Sequence, residues 1–156
     1  MTSGVHKAVR AKNLVFVDPG KHACAIAYWR GADFQSAHLS EGTRAEHFIQ
    51  VAALKPDLVV VECPVVYPRG AGKGEDPNDL IQVALSAGAC MAACAHSITV
   101  SPGEWKGQVP KEIHHKRIEP RLTPIMKAHI EAVRGVMRHN VLDAIALGLW
   151  WNAAHA

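Results

Sequence analysis

Aromatic residues are scarce, 6% of 156 positions, as three Phe, two Tyr and four Trp. Cysteine is scarcer still. The four present (Cys24, Cys63, Cys90, Cys94) form no CxxC pair and no zinc-ribbon spacing. That points to reduced core thiols, with Cys90 and Cys94 one helical turn apart in an Ala-rich stretch. A long apolar run is missing too. The longest low-charge stretch, Ile81 to Val100, is interrupted by Gln82, Ser86, Gly88 and His96, so it reads as a buried helix rather than a membrane span. The opening MTSGVHKAVRAKN has no apolar core of the kind a secretory signal carries. The expectation is a cytoplasmic protein with no membrane partner, whose residues 1–12 form a flexible tail. No internal repeat or low-complexity block is present.

What remains is an ordinary soluble composition, 49% hydrophobic and 20% charged. Residues 13–156 suffice for one domain that buries about two-thirds of its unfolded surface. The net charge of +3, with ten histidines beside it, leans toward an anionic partner.

Leu14 to Val17 reads as a first strand, ACAIAYW (23–29) as a second, and Phe34 to Leu39 as a third. The short turns between them imply antiparallel hairpins. Thr43-Arg-Ala-Glu46 is a capping box that opens a helix, with Ala45, Phe48, Ile49 and Ala52 as its apolar face and Pro56 as its stop. Leu58 to Val61, LVVV, is the continuous apolar run of a strand covered on both faces. A Gly/Pro-rich basic loop over Pro64–Glu75 precedes a long helix capped by Asp76 and running to about Ala95. A strand near Ile98 to Val100, a second broken basic segment (SPGEWKGQVPKEIHHKR), a helix near 124–134 and a last helix from about Asn140 complete the chain. The class is α/β: a mixed sheet of three antiparallel strands followed by parallel ones, with helices on both faces.

In such sheets sites form at the carboxyl ends of parallel strands. Asp18 stands at one such end and Glu62 at another. Two facing carboxylates suit a hard cation, because Mg²⁺ takes one or two of them, keeps waters and lets phosphate oxygens complete its octahedron. A third acid, Asp143, shares a helix face with Asn140 and His139, while Leu142, Ile145 and Leu149 occupy the other stripe. Each acid also has a plain structural reading. Asp18-Pro-Gly20 is good turn chemistry with a glycine that tolerates positive φ, Glu62 can be a loop residue, and Asn140-x-x-Asp143 a capping box.

The ordered set FVDPG, VVVECP and HNVLDAIALG resembles the RuvC-type Holliday-junction resolvases of the RNase H-like superfamily, over residues 13–153. The resemblance implies an RNase H-like sheet and Asp18, Glu62 and Asp143 as metal ligands. It further implies two divalent ions, Mg²⁺ or Mn²⁺, driving water against a phosphodiester to leave 5′-phosphate and 3′-hydroxyl ends. It implies a homodimer cutting a four-way DNA junction, and a PGEWKGQVPK segment that approaches DNA phosphates. There is one departure: the position three before the last Asp is usually Asp and sometimes His in that family, and is Asn140 here. An amide oxygen brings no charge to a second ion, and His139 is placed to substitute as ligand or proton carrier.

Phosphate contacts are expected from Arg69 and Lys73 in the first loop and from Lys106, Lys111, Lys116 and Arg117 in the second. Tyr67 and Trp105 either stack on unpaired bases or anchor their loops on the body. Trp150 and Trp151 read as core or dimer contacts. The Ala/Gly/Ser-rich middle of the long helix suits close packing, onto the sheet or across a dimer. Two other readings stay open. One keeps the fold and cuts RNA/DNA hybrids, flaps or branches; the other binds junctions with weakened catalysis, as Asn140 allows.

Overall fold

The computed structural model describes residues 12–66 and 76–156. Strands β1 (Asn13–Pro19), β2 (Ala23–Arg30) and β3 (Asp33–Glu41) form an antiparallel meander. Strand β4 (Leu58–Glu62) runs parallel to β1, and β5 (Ser97–Val100) parallel to β4, giving the order β3-β2-β1-β4-β5. The helices are α1 (Arg44–Ala53), α2 (Pro77–Met91), α3 (Pro102–Lys106), α4 (Lys111–Ile118), α5 (Pro124–Glu131) and α6 (Arg138–Ala154).

Alternation along the central strands sorts the core into two layers. Leu14 and Phe16 of β1, with Leu58 and Val60 of β4, pack beneath α6 against Ile145, Ala146 and Leu147. Val15, Val17, Val59 and Val61 face the other way, onto Val51 of α1 and Ala87 and Cys90 of α2. Both faces are thus covered, which is why β4 is apolar at every position before its terminal acid. All four cysteines are free, with Cys24 and Cys90 in this second layer.

Several expected boundaries shift. The third strand extends to Glu41, α2 turns out at Ala92 to re-enter the sheet as β5, and α6 begins at Arg138. Asn140 therefore lies inside α6 and is no cap. The apolar face assigned to α1 is wrong. Phe48 and Ile49 are exposed, and His47 and Val51 are buried, because Ser40 of β3 accommodates the imidazole at 2.8 Å.

The segment 101–117, expected to be a broken loop, folds as two helices. Its Gly and Pro residues mark helix ends: Pro102 sits in the first turn of α3, with Ser101 and Glu104 as capping box. Gly107 closes that helix at φ +69°, and Pro110 directly precedes α4. Gly20 is also not what turn chemistry suggests. Its φ is not positive; instead a Cβ there would lie 2.5 Å from the Ala23 carbonyl oxygen, so close approach of the backbone demands glycine.

Tyr67, Arg69 and Lys73, and all but the last residue of the expected tail, lie outside the described residues. Among the described residues no helix is long and apolar enough to cross a membrane.

Candidate active site

Strand parity turns Asp18 and Glu62 to the same side. Asp18 continues the Leu14–Phe16 row of β1, and Glu62 the Leu58–Val60 row of β4. The register pairs Val17 with Val61, so the two acids stand side by side at the carboxyl ends of adjacent parallel strands. Helix α6 crosses this face and brings in Asp143, which is only 4% exposed. The three acids line one cleft of about 290 Å³, together with Asn140 of α6, Lys106 of α3 and Lys111 of α4.

Lys106 occupies the middle of the cluster. Its ammonium lies 3.0 Å from Glu62 Oε2 and 3.6 Å from Asp143 Oδ2. Burial pushes the ammonium pKa down, but Asp143 and Glu62 outweigh this and leave it above its ordinary value. Trp105, the preceding residue, donates its indole N–H to Glu62 Oε2 at 2.8 Å. It is buried and meets the His114 ring edge-on at a centroid distance of 5.0 Å. Trp105 is therefore the anchor of α3 and offers no free face to a nucleic-acid base.

Among the described residues Asp18 has no such partner. Burial, and then the Glu62 and Asp143 carboxylates, hold its carboxyl well above the usual carboxylate range, with Lys106 and Lys111 opposing in part. Among the described residues the cleft thus carries three acids against two lysines, Lys106 and Lys111. A stability prediction follows from this surplus. Metal-free Asp18→Asn should be more stable than the parent by about 1 kcal/mol at neutral pH, or some 2–4 °C in melting temperature. A raised folded-state pKa means that the acid costs nothing at low pH, where it is protonated folded or unfolded; the destabilisation grows as pH rises above the ordinary carboxylate value and is complete once pH passes the raised one. The gap between the two proteins should therefore close at acid pH. Thermal melts in EDTA at two pH values check it, and equal melting temperatures at neutral pH would refute it.

The remaining expected residues distribute unevenly. His139 is half-buried beside the cleft rather than lining it, its pKa lowered by burial and by Lys111. Lys116 and Arg117 are exposed on α4, outside the cleft lining. One participant was missed. His115 Nε2 lies 3.0 Å from Asp143 Oδ1, a hydrogen-bonding distance. With Lys111 on the cleft, helical spacing puts His115, four residues on, on the same face of α4; treating the segment as irregular concealed that.

As hydrogen-bonding groups, three carboxylates and an amide make a set of hard oxygen donors suited to a divalent cation. The Lys106 ammonium already plays the part of a cation among them. Yet in this arrangement no three His, Cys, Asp or Glu side chains among the described residues are grouped to hold one ion.

Sheet order, strand directions and the crossing terminal helix define an RNase H-like fold. No family model matches the sequence, and no curated protein does. Among solved structures the chain superposes on RuvC of Thermus thermophilus in complex with a Holliday junction substrate. The TM-score is 0.60 and the identity 14%, over 91% of this chain and 94% of that one. A second Thermus thermophilus RuvC structure gives 0.57 and 15%, over 91% and 95%. The yeast mitochondrial Holliday junction resolvase gives 0.56 and 12%, over 97% of this chain and 84% of that one. The fold is that of a RuvC-type resolvase.

Proposed function

We propose that residues 13–156 form one nuclease domain that hydrolyses phosphodiesters in branched DNA, with the four-way junction as favoured substrate. One observation carries the reading: Asp18, Glu62 and Asp143 converge from β1, β4 and α6 into a single cleft that Lys106 and Lys111 also line. The junction DNA held by a structure of the same fold supports the choice of substrate.

In this reading Asp18, Glu62 and Asp143 would be the residues to hold two divalent ions, Mg²⁺ or Mn²⁺, with Asn140 as an uncharged oxygen donor beside them. The ions would supply Lewis acidity, activating a water and stabilising the leaving oxygen so that 5′-phosphate and 3′-hydroxyl ends result. His115 orients Asp143 through its second oxygen, as partners of metal-binding carboxylates commonly do. His139, beside the cleft, is placed to carry a proton. Lys111 faces the phosphate path, and Lys116 and Arg117 extend the positive track; Arg69 and Lys73 keep the phosphate contacts, and Tyr67 the base stacking, that the sequence assigns them. The chain works as a homodimer, for which exposed Phe48 and Ile49 of α1 and Ile81 and Leu85 of α2 supply apolar surface.

The test is cleavage of a four-way junction, a linear duplex and an RNA/DNA hybrid side by side, with Mg²⁺, with Mn²⁺ and with EDTA. Metal-dependent cutting of the junction alone is expected. Cutting of the hybrid in preference would transfer the fold to another substrate. Junction binding without cleavage under every condition would favour the binding module that Asn140 makes conceivable.

A further inference from the structure

We propose that Lys106 is a resident cation of the acidic cleft, which must leave before a divalent ion can enter, and that its departure couples metal binding to DNA binding. The inference rests on the nuclease reading and adds a regulation of the same site.

The geometry is that of an occupied position. The ammonium reaches both Glu62 oxygens, at 3.0 and 3.4 Å, and Asp143 Oδ2 at 3.6 Å. It also lies 4.7 Å from the centroid of the Trp105 ring, an aromatic wall that favours a cation. Trp105 is itself fixed to Glu62, so the backbone of α3 is held and only the four-carbon lysine stem is free to swing. In this arrangement no three His, Cys, Asp or Glu side chains among the described residues are grouped to hold one ion, and the ammonium lies between Glu62 and Asp143, where a cation would sit. When it leaves, the acids lose their counter-charge and attract a divalent cation more strongly.

The released ammonium then has another partner. A DNA phosphate lying over the cleft offers oxygens that the withdrawn lysine can take up. Metal and phosphate therefore both favour the same swung-out state, and each must strengthen the binding of the other. Lys106 is in this sense a positioning residue whose location reports the state of the site.

Removing the ammonium while keeping the stem tests the idea without any cleavage step. For the DNA-free protein, Lys106→Met is expected to bind Mn²⁺ about 5- to 100-fold more tightly than the parent, the ordinary range of coupling between sites. Lys106→Gln, which retains a hydrogen-bond donor but no charge, should behave alike and guards against one variant failing to fold. Lys111→Met is the control. It removes the same charge from the same cleft lining, but Lys111 forms no ion pair with Glu62 or Asp143. Its Mn²⁺ affinity should rise by no more than about twofold at moderate salt. A measurement on the unmodified protein complements these: saturating Mg²⁺ should alter tryptophan emission as the ammonium leaves Trp105, and Lys106→Met should lack that change.

Unchanged or weaker Mn²⁺ binding in both Lys106 variants overturns the proposal, as does an equal gain in Lys111→Met. If neither parent nor variants bind Mn²⁺ at all, the metal-site reading fails, and that outcome is distinct from the failure of the lysine's role.

Discussion

Asp143→Asn is expected to abolish junction cleavage, a loss of more than about 10²-fold, while junction affinity stays within a few-fold of the parent. The substitution keeps size and shape and removes one charge. Asp143 is the most deeply placed of the three acids and the one that α6 contributes, with Asn140 its neighbour one turn earlier. A second ion would therefore depend on Asp143 for charge, since Asn140 brings none. Junction binding, in contrast, is chiefly phosphate neutralisation by Lys and Arg. It should survive, and should strengthen slightly in the absence of metal as one repelling charge goes. Single-turnover cleavage with saturating Mn²⁺, beside gel-shift binding in EDTA, measures both. Retained cleavage would remove Asp143 from the catalytic set and with it the account of this cleft as a nuclease site.

The second large effect concerns the placement of α6 itself. A Cβ at Gly148 would lie 2.4, 2.5 and 2.8 Å from three ring atoms of Trp29. Trp29 cannot yield. It is 1% exposed and meets Phe16 and Phe34 edge-on at centroid distances of 5.3 and 5.0 Å. Gly148→Ala should destabilise by about 1–3 kcal/mol through overpacking, lowering the melting temperature by about 2–4 °C per kcal/mol in a chain of this size. The sign is diagnostic, because in an unpacked helix the same change would stabilise by about 0.8–1.0 kcal/mol through propensity alone. A higher melting temperature would mean that α6 does not press on Trp29. The effect should also reach the chemistry. A helix lifted off the sheet carries Asp143 away from Asp18 and Glu62, so the variant should lose cleavage rate as well as stability. Shrinking Trp29 to Phe in the Gly148→Ala background should restore part of both, since contacting residues are non-additive.

Much of the site was legible in the chain because its cues are local. An apolar run that gives way to an acid shows where a strand's carboxyl end lies, and Asp18 and Glu62 each follow such a run. The two-residue alternation that puts Leu14 and Phe16 beneath α6 also fixes the direction of Asp18. Helical spacing placed Asn140 and Asp143 together in the same way. These are properties of one element at a time, and the fold class followed from their order.

What escaped depended on which elements meet. Phe48 and Ile49 make a plausible apolar face for α1, yet the sheet chose His47 and Val51, because Ser40 on β3 satisfies the imidazole that burial would otherwise penalise. In segment 101–117, glycine and proline mean the same thing locally whether they break a loop or bound a helix. Only contact with the body stabilises helices as short as α3 and α4. With those helices formed, Trp105 and Lys106 reach Glu62 across 43 and 44 residues, and His115 reaches Asp143 across 28. The chain determined which acids stand at the ends of its strands and helices. Packing alone decided that a lysine would sit among them, because a side-chain contact at such separation is a property of how layers stack and leaves no period in the sequence.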